Sequence, residues 1–141
     1  MFALTPLAVV TRLRAVGRLA LLGVLLALVA AGCGGQSDYS LKKTRDCLAT
    51  EDAKISPARD FVATTATGGA FRARLSDNSV TIAFGERDSD AVDIAYAYER
   101  FAFTNVRSNI LDVLERYRNA VLLWQKHPAS ADLALVTGCL R

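Results

Sequence analysis

Few residues in this chain have types and spacings suited to chemistry. His127, Ser130 and Asp132 are the residue types of a hydrolytic triad within six positions. Triads are assembled by a fold from separate elements, so the types alone carry little. Ser130 and Asp132 read better as a helix cap and a first-turn acid. Asp88, Asp90 and Asp93 are spaced like calcium ligands, but the Gly and terminal Glu of an EF-hand loop are missing after them, and a helix start explains all three. Thr64, Thr65, Thr67, Gly68 and Gly69 form a small polar loop without the Gly-Lys-Ser/Thr ending of a phosphate loop. Cys47, Cys139 and the single His127 have no metal-ligand spacing. These residues point to no catalytic group, no cofactor and no metal. One cluster has a candidate binding role. Arg72 and Arg74 alternate with apolar neighbours on a strand and would share one sheet face with Thr81, which could receive an anionic partner such as a cell-wall polymer if no helices cover it; an ordinary solvated face is the alternative reading.

The elements that must position these residues sit behind a distinct leader. Arg12, Arg14 and Arg18 precede an uncharged apolar run from Leu19 to Ala31. That is the plan of a secretory signal, a basic region, then roughly 7–15 apolar residues and a small-residue cut site. The run is shorter than the roughly 20 residues a spanning helix needs. The basic residues stay on the cytoplasmic side, so the chain beyond Ala31 is translocated. Ala30-Ala31-Gly32-Cys33 resembles the lipobox of bacterial lipoproteins, although Ala30 stands where that family usually has Leu. The resemblance covers residues 1–33. It implies that the Cys33 thiol carries a diacylglyceryl group, that the leader is cut before Cys33, and that the protein is held outside the cytoplasm on the bacterial membrane. An uncleaved signal anchor, a cleaved signal without lipid and a buried cytosolic helix are the other readings of the same segment. All but the last export the domain.

With Cys33 lipidated, two of the three cysteines remain, and thiols outside the cytoplasm tend to oxidise. A Cys47–Cys139 disulfide is therefore expected, closing a loop of about 90 residues between the first and last helices. Two buried free thiols are the alternative.

The expected organisation is a signal peptide at 1–32, a lipidated cysteine and short tether at 33–38, and a single domain at 39–141. The formal charge of +3 comes from the three leader arginines, which leaves the domain neutral and gives no reason to expect nucleic acid. Leu41 to Ala49 reads as a helix capped by Ser40. Ile55-Ser56-Pro57 is an edge or a turn. Phe61 to Ala66 reads as a strand turning at Gly68-Gly69, with further strands around Phe71–Leu75 and Val80–Phe84. Ala91, Ile94, Ala95, Tyr98, Phe101 and Ala102 form the apolar stripe of a helix. Trp124, Tyr96, Tyr98 and Phe101 are expected in the core or at its edge. Residues 109–117 fit either helix or strand. Asn119 to Gln125 is a nearly continuous apolar strand, and Ser130 starts the last helix.

This order predicts an α+β fold, a two-layer sandwich with a small antiparallel sheet, helices on one face, and the N- and C-terminal helices adjacent. The functional expectation is a non-catalytic binding or scaffolding module at the cell envelope, partnered by the membrane through its lipid and by an envelope protein or polymer. An envelope enzyme or small-ligand sensor is the alternative.

Overall fold

A computed structural model describes residues 38–141. The leader, Cys33 and the tether up to residue 37 lie outside the described residues.

The fold is α+β, built on a five-stranded antiparallel sheet. The chain runs α1 (Leu41–Thr50), β1 (Lys54–Pro57), α2 (Phe61–Thr64), β2 (Ala70–Arg74) and β3 (Ser79–Phe84). It continues through α3 (Asp88–Phe101), α4 (Thr104–Arg107), α5 (Ile110–Val113), β4 (Leu114–Tyr117), β5 (Ala120–Trp124) and α6 (Ser130–Cys139). The strand order is β1-β2-β3-β5-β4. Pro57, which cannot donate to a ladder, ends the edge strand β1, where a missing N–H is tolerated.

Strand alternation divides the core in two. Phe71, Ala73, Val80, Ile82, Phe84, Leu122 and Trp124 point to one face and are buried with Leu48 of α1 and Val136 and Cys139 of α6. Ala83 and Val121, partners across β3 and β5, point to the other face and pack against Val62 of α2 and Ala91, Ile94 and Tyr98 of α3. The expectation of helices on one face is thus corrected: helices pack on both. The reason is the composition of β5, whose Val121 and Leu123 are as apolar as their neighbours Ala120, Leu122 and Trp124, so both of its faces need cover.

Several local readings also change. Phe61 to Thr64 is a helical turn, because Asp60 caps it by accepting a hydrogen bond from the Ala63 N–H at 2.8 Å. The hydroxyls of Thr64 and Thr65 donate back to the Phe61 and Val62 carbonyls, a local alternative to strand pairing. Gly68 and Gly69 therefore close no hairpin. Gly68 donates to the Phe84 carbonyl at 2.7 Å, and a Cβ there would sit 2.7 Å from that oxygen. Gly69 adopts φ +82°, which favours glycine. Residues 109–117 split into helix and then strand. The last helix starts at Ser130 but its N-cap is Ala129, with no side-chain cap bond. At α3 the N-cap is Arg87, and the Asp90 carboxylate accepts from the Arg87 N–H at 3.1 Å in a capping box.

Cys47 of α1 and Cys139 of α6 are joined in a disulfide. Near it the Ser40 N–H donates to the Arg141 carbonyl at 2.6 Å, and the buried Thr44 hydroxyl accepts from the Arg141 N–H at 3.4 Å. Residues 38–141 contain the whole sheet, both apolar clusters and the disulfide, so this segment carries its own core and folds as one compact unit.

Candidate functional site

The triad residue types are not brought together. His127 is exposed and its Nδ1 lies 3.0 Å from the Asp112 carbonyl, while no hydrogen bond joins it to Ser130 or Asp132 among the described residues. Asp90 is occupied with the α3 cap and with the Thr67 hydroxyl, which donates to it at 3.3 Å. Asp90 also illustrates competing effects: desolvation raises its pKa, but the Arg87 backbone bond and charge outweigh this, and the net shift is downward. No group of three His, Cys, Asp or Glu side chains among the described residues could hold a metal ion.

Arg72, Arg74 and Thr81 do share one face, and β1 extends the pattern. In register, Ser56 and Thr81 flank Arg72, while Lys54 and Ser79 flank Arg74. This is the face on which α2 and α3 pack: α3 lies against β3, β5 and β4, and α2 against β3 and the Ala70 end of β2. The side chains of β1 and of the Arg72–Arg74 end of β2 on this face stay exposed, and the face expected to be free of helices is instead partly covered. Here lies a groove of about 580 Å³ whose lining includes Lys54, Arg59, Arg72 and Arg74 together with Phe103 and Val106.

The electrostatics of this groove are one-sided. Lys54 lies directly opposite Arg74 across an edge pair, a like-charge juxtaposition that disfavours the sheet unless something negative neutralises it. Yet none of Lys54, Arg59, Arg72 and Arg74 forms an ion pair among the described residues, and Asp60 is the only acidic side chain among those lining the wall. The Arg72 guanidinium is held in place by neutral acceptors, the Ser79 hydroxyl at 2.6 Å and the Gln125 Oε1 at 3.2 Å. Ser79 in turn donates to Gln125 at 2.8 Å. Arg72 is thus oriented but keeps its charge uncompensated, the arrangement suited to pairing with an external carboxylate or phosphate.

At one end the groove meets a smaller apolar pocket of about 130 Å³, and the two share Asp60, Phe103, Val106 and Leu123. Phe61, Tyr98 and Phe101 complete the pocket. Tyr98 is buried as expected, but Phe101 is 58% exposed and Tyr96 64%, so neither belongs to the core. The Tyr98 hydroxyl makes no well-formed hydrogen bond among the described residues, although the Asp60 carboxylate is near enough to act on it. Burial, and then the negative charge of Asp60, push its ionisation far above the ordinary phenol value, so it stays a neutral donor.

Sequence reasoning found Arg72, Arg74 and Thr81 but missed Lys54, Arg59 and the aromatic rim. The signal for Lys54 was present: Lys54 and Ser56 alternate with Ile55 as Arg72 and Arg74 do with Ala73. The rim carried none, because Phe61 was read as strand and Phe101 as core.

The fold and the groove together define a small α+β domain with a basic groove on one sheet face. Comparison with family models, curated proteins and solved structures finds no match. No helix of the described residues is long and apolar enough to cross a membrane.

Proposed function

We propose that this protein is an exported, lipid-anchored binding module whose groove takes an anionic ligand of the cell envelope and performs no chemistry on it. The observation that carries the reading is the set of four cationic side chains, Lys54, Arg59, Arg72 and Arg74, on one groove without ion-pair partners among the described residues. An uncompensated cluster of this kind draws anions by its field and rewards their arrival. The groove volume falls within the range of small-ligand sites, which favours a single molecule or one segment of a polymer over a broad protein interface. His127, the residue best suited to acid–base work, lies outside the groove lining.

The test is calorimetric titration of residues 38–141 with inorganic phosphate and with polyphosphate at low salt. Both are expected to bind, with affinity falling as salt rises. Arg72→Glu/Arg74→Glu replaces two attractive charges with two repulsive ones and is expected to weaken binding by about tenfold or more. Equal affinity in the variant sinks the reading, and so does turnover of a substrate that His127→Ala abolishes.

The anchor is a separate part of the proposal. It rests on the resemblance of Ala30-Ala31-Gly32-Cys33 to a lipobox behind Arg12, Arg14 and Arg18. Intact-mass analysis of membrane-extracted protein is expected to show a chain beginning at Cys33 and carrying acyl mass. Two acyl chains suffice for stable anchoring at about 0.8 kcal/mol per buried CH₂, so Cys33→Ser is expected to release the protein from the membrane or block its processing. A mature chain starting elsewhere ends this part of the proposal and leaves the groove untouched.

A further inference from the structure

The basic groove does not end in solvent. It runs into the apolar pocket, and the two cavities share one wall. Three large exposed aromatics line that pocket, and Phe103 lines the groove as well: Phe61 is 72% exposed, Phe101 58% and Phe103 71%. Scattered exposed aromatics are ordinary, but three on the rim of one pocket, beside an uncompensated cationic cluster, mark a surface kept for a partner. A second observation comes from inside. The Tyr98 hydroxyl, on a residue only 1% exposed in the lining of the same pocket, is a buried donor with the Asp60 carboxylate as its nearby acceptor but no well-formed bond to it. Such groups are rare because an unmade hydrogen bond is costly in the interior.

We infer that the ligand is an anionic amphiphile, with its charged head on Lys54, Arg72 and Arg74 and its apolar arm in the pocket formed by Phe61, Tyr98, Phe101 and Phe103. The inference rests on the anion-binding reading and adds the chemistry of the rest of the ligand. Asp60 gives the site its polarity. It stands on the wall common to both cavities, where its carboxylate repels a negative head from the apolar end and leaves the cationic end as the head's place. Phe101 and Phe103, at and just beyond the C-terminal end of α3, would close over the arm.

The experiment compares inorganic phosphate, ethyl phosphate and butyl phosphate as calorimetric titrants of residues 38–141, all used as monomers in solution. A fully buried CH₂ strengthens binding by about a factor of four. Butyl phosphate is therefore expected to bind about tenfold or more tighter than ethyl phosphate. Phe61→Ser/Phe101→Ser alters two exposed side chains that line the apolar pocket and not the basic groove, and it is expected to remove most of that gain while leaving inorganic phosphate binding unchanged. A parallel arm uses vesicles of phosphatidylglycerol in phosphatidylcholine. Vesicle binding that butyl phosphate displaces identifies a bilayer lipid as the source of the amphiphile, and butyl phosphate binding without vesicle binding identifies a free molecule. Either supports the inference. If inorganic phosphate binds through Arg72 and Arg74 but the alkyl chain adds nothing, the amphiphile is wrong and the anion reading survives. If the alkyl gain persists in full in the Phe61→Ser/Phe101→Ser variant, the pocket assignment is overturned. If no phosphate binds at all, both readings fall.

Discussion

Replacing both disulfide cysteines, as Cys47→Ala/Cys139→Ala, is expected to destabilise residues 38–141 by up to roughly 4–5 kcal/mol. The bond joins residues 92 apart in sequence, so it removes a large loop's worth of freedom from the unfolded chain. Alanine is the better replacement because Cys139 is buried within the apolar cluster that holds Leu48 and Val136, where a serine hydroxyl would need a partner. The measurement is urea denaturation. The midpoint should fall and the m-value should rise, because the unfolded chain without its cross-link expands and exposes more surface. The wild-type protein under reductant should track the variant's curve. Alkylation of the native protein should label neither cysteine until reductant is added. Superimposable curves for wild type and variant would remove the disulfide from the account of stability.

The second large effect is expected at Asn119, a buried polar residue in the turn between β4 and β5. Its side chain is a three-way junction. Oδ1 accepts from the Tyr39 N–H at 2.7 Å, and Nδ2 donates to the carbonyls of Tyr39 and Gly85 at 3.0 Å each. One amide thus ties together the approach to α1, the exit from β3 and the turn before β5. Asn119→Ala deletes all three bonds and leaves the Tyr39 and Gly85 groups without those partners. At about 1 kcal/mol per lost bond, with the penalty of orphaned groups added, the expected loss is about 2–4 kcal/mol. Asn119→Asp is the informative companion. It keeps an acceptor for the Tyr39 N–H but presents no donor to the two carbonyls, so it should not restore wild-type stability. A loss below about 0.5 kcal/mol for the alanine variant, the level usual at unremarkable surface positions, would show that the junction contributes little.

The fold was legible wherever one period dominated. Alternation in Phe71 to Leu75 and Val80 to Phe84 announced β2 and β3 with Arg72 and Arg74 on the side opposite Phe71 and Ala73, and the register bears this out. The stripe of Ala91, Ile94 and Tyr98 announced α3 with its buried face. Where the local signal was a short run of β-branched residues the reading failed. Phe61 to Thr64 is a helical turn because one capping bond from Asp60 decides a four-residue segment that propensity cannot.

By itself, then, the sequence determined the α+β class, the charge balance of the residues beyond Arg18, and the side of β2 on which its arginines lie. These come from composition and from periods of two and 3.6 residues, which are properties of neighbours along the chain. Only the tertiary structure decided that helices cover both faces of the sheet, that α2 and α3 leave the Arg72–Arg74 end of β2 exposed, and that Lys54 stands opposite Arg74. It alone placed Phe61 of α2 beside Phe101 and Phe103 at the far end of α3, making an apolar pocket continuous with the basic groove. A groove of this kind is made by where helices end over a sheet, and that is set by packing between residues about 40 apart in sequence, for which no local period carries a signal.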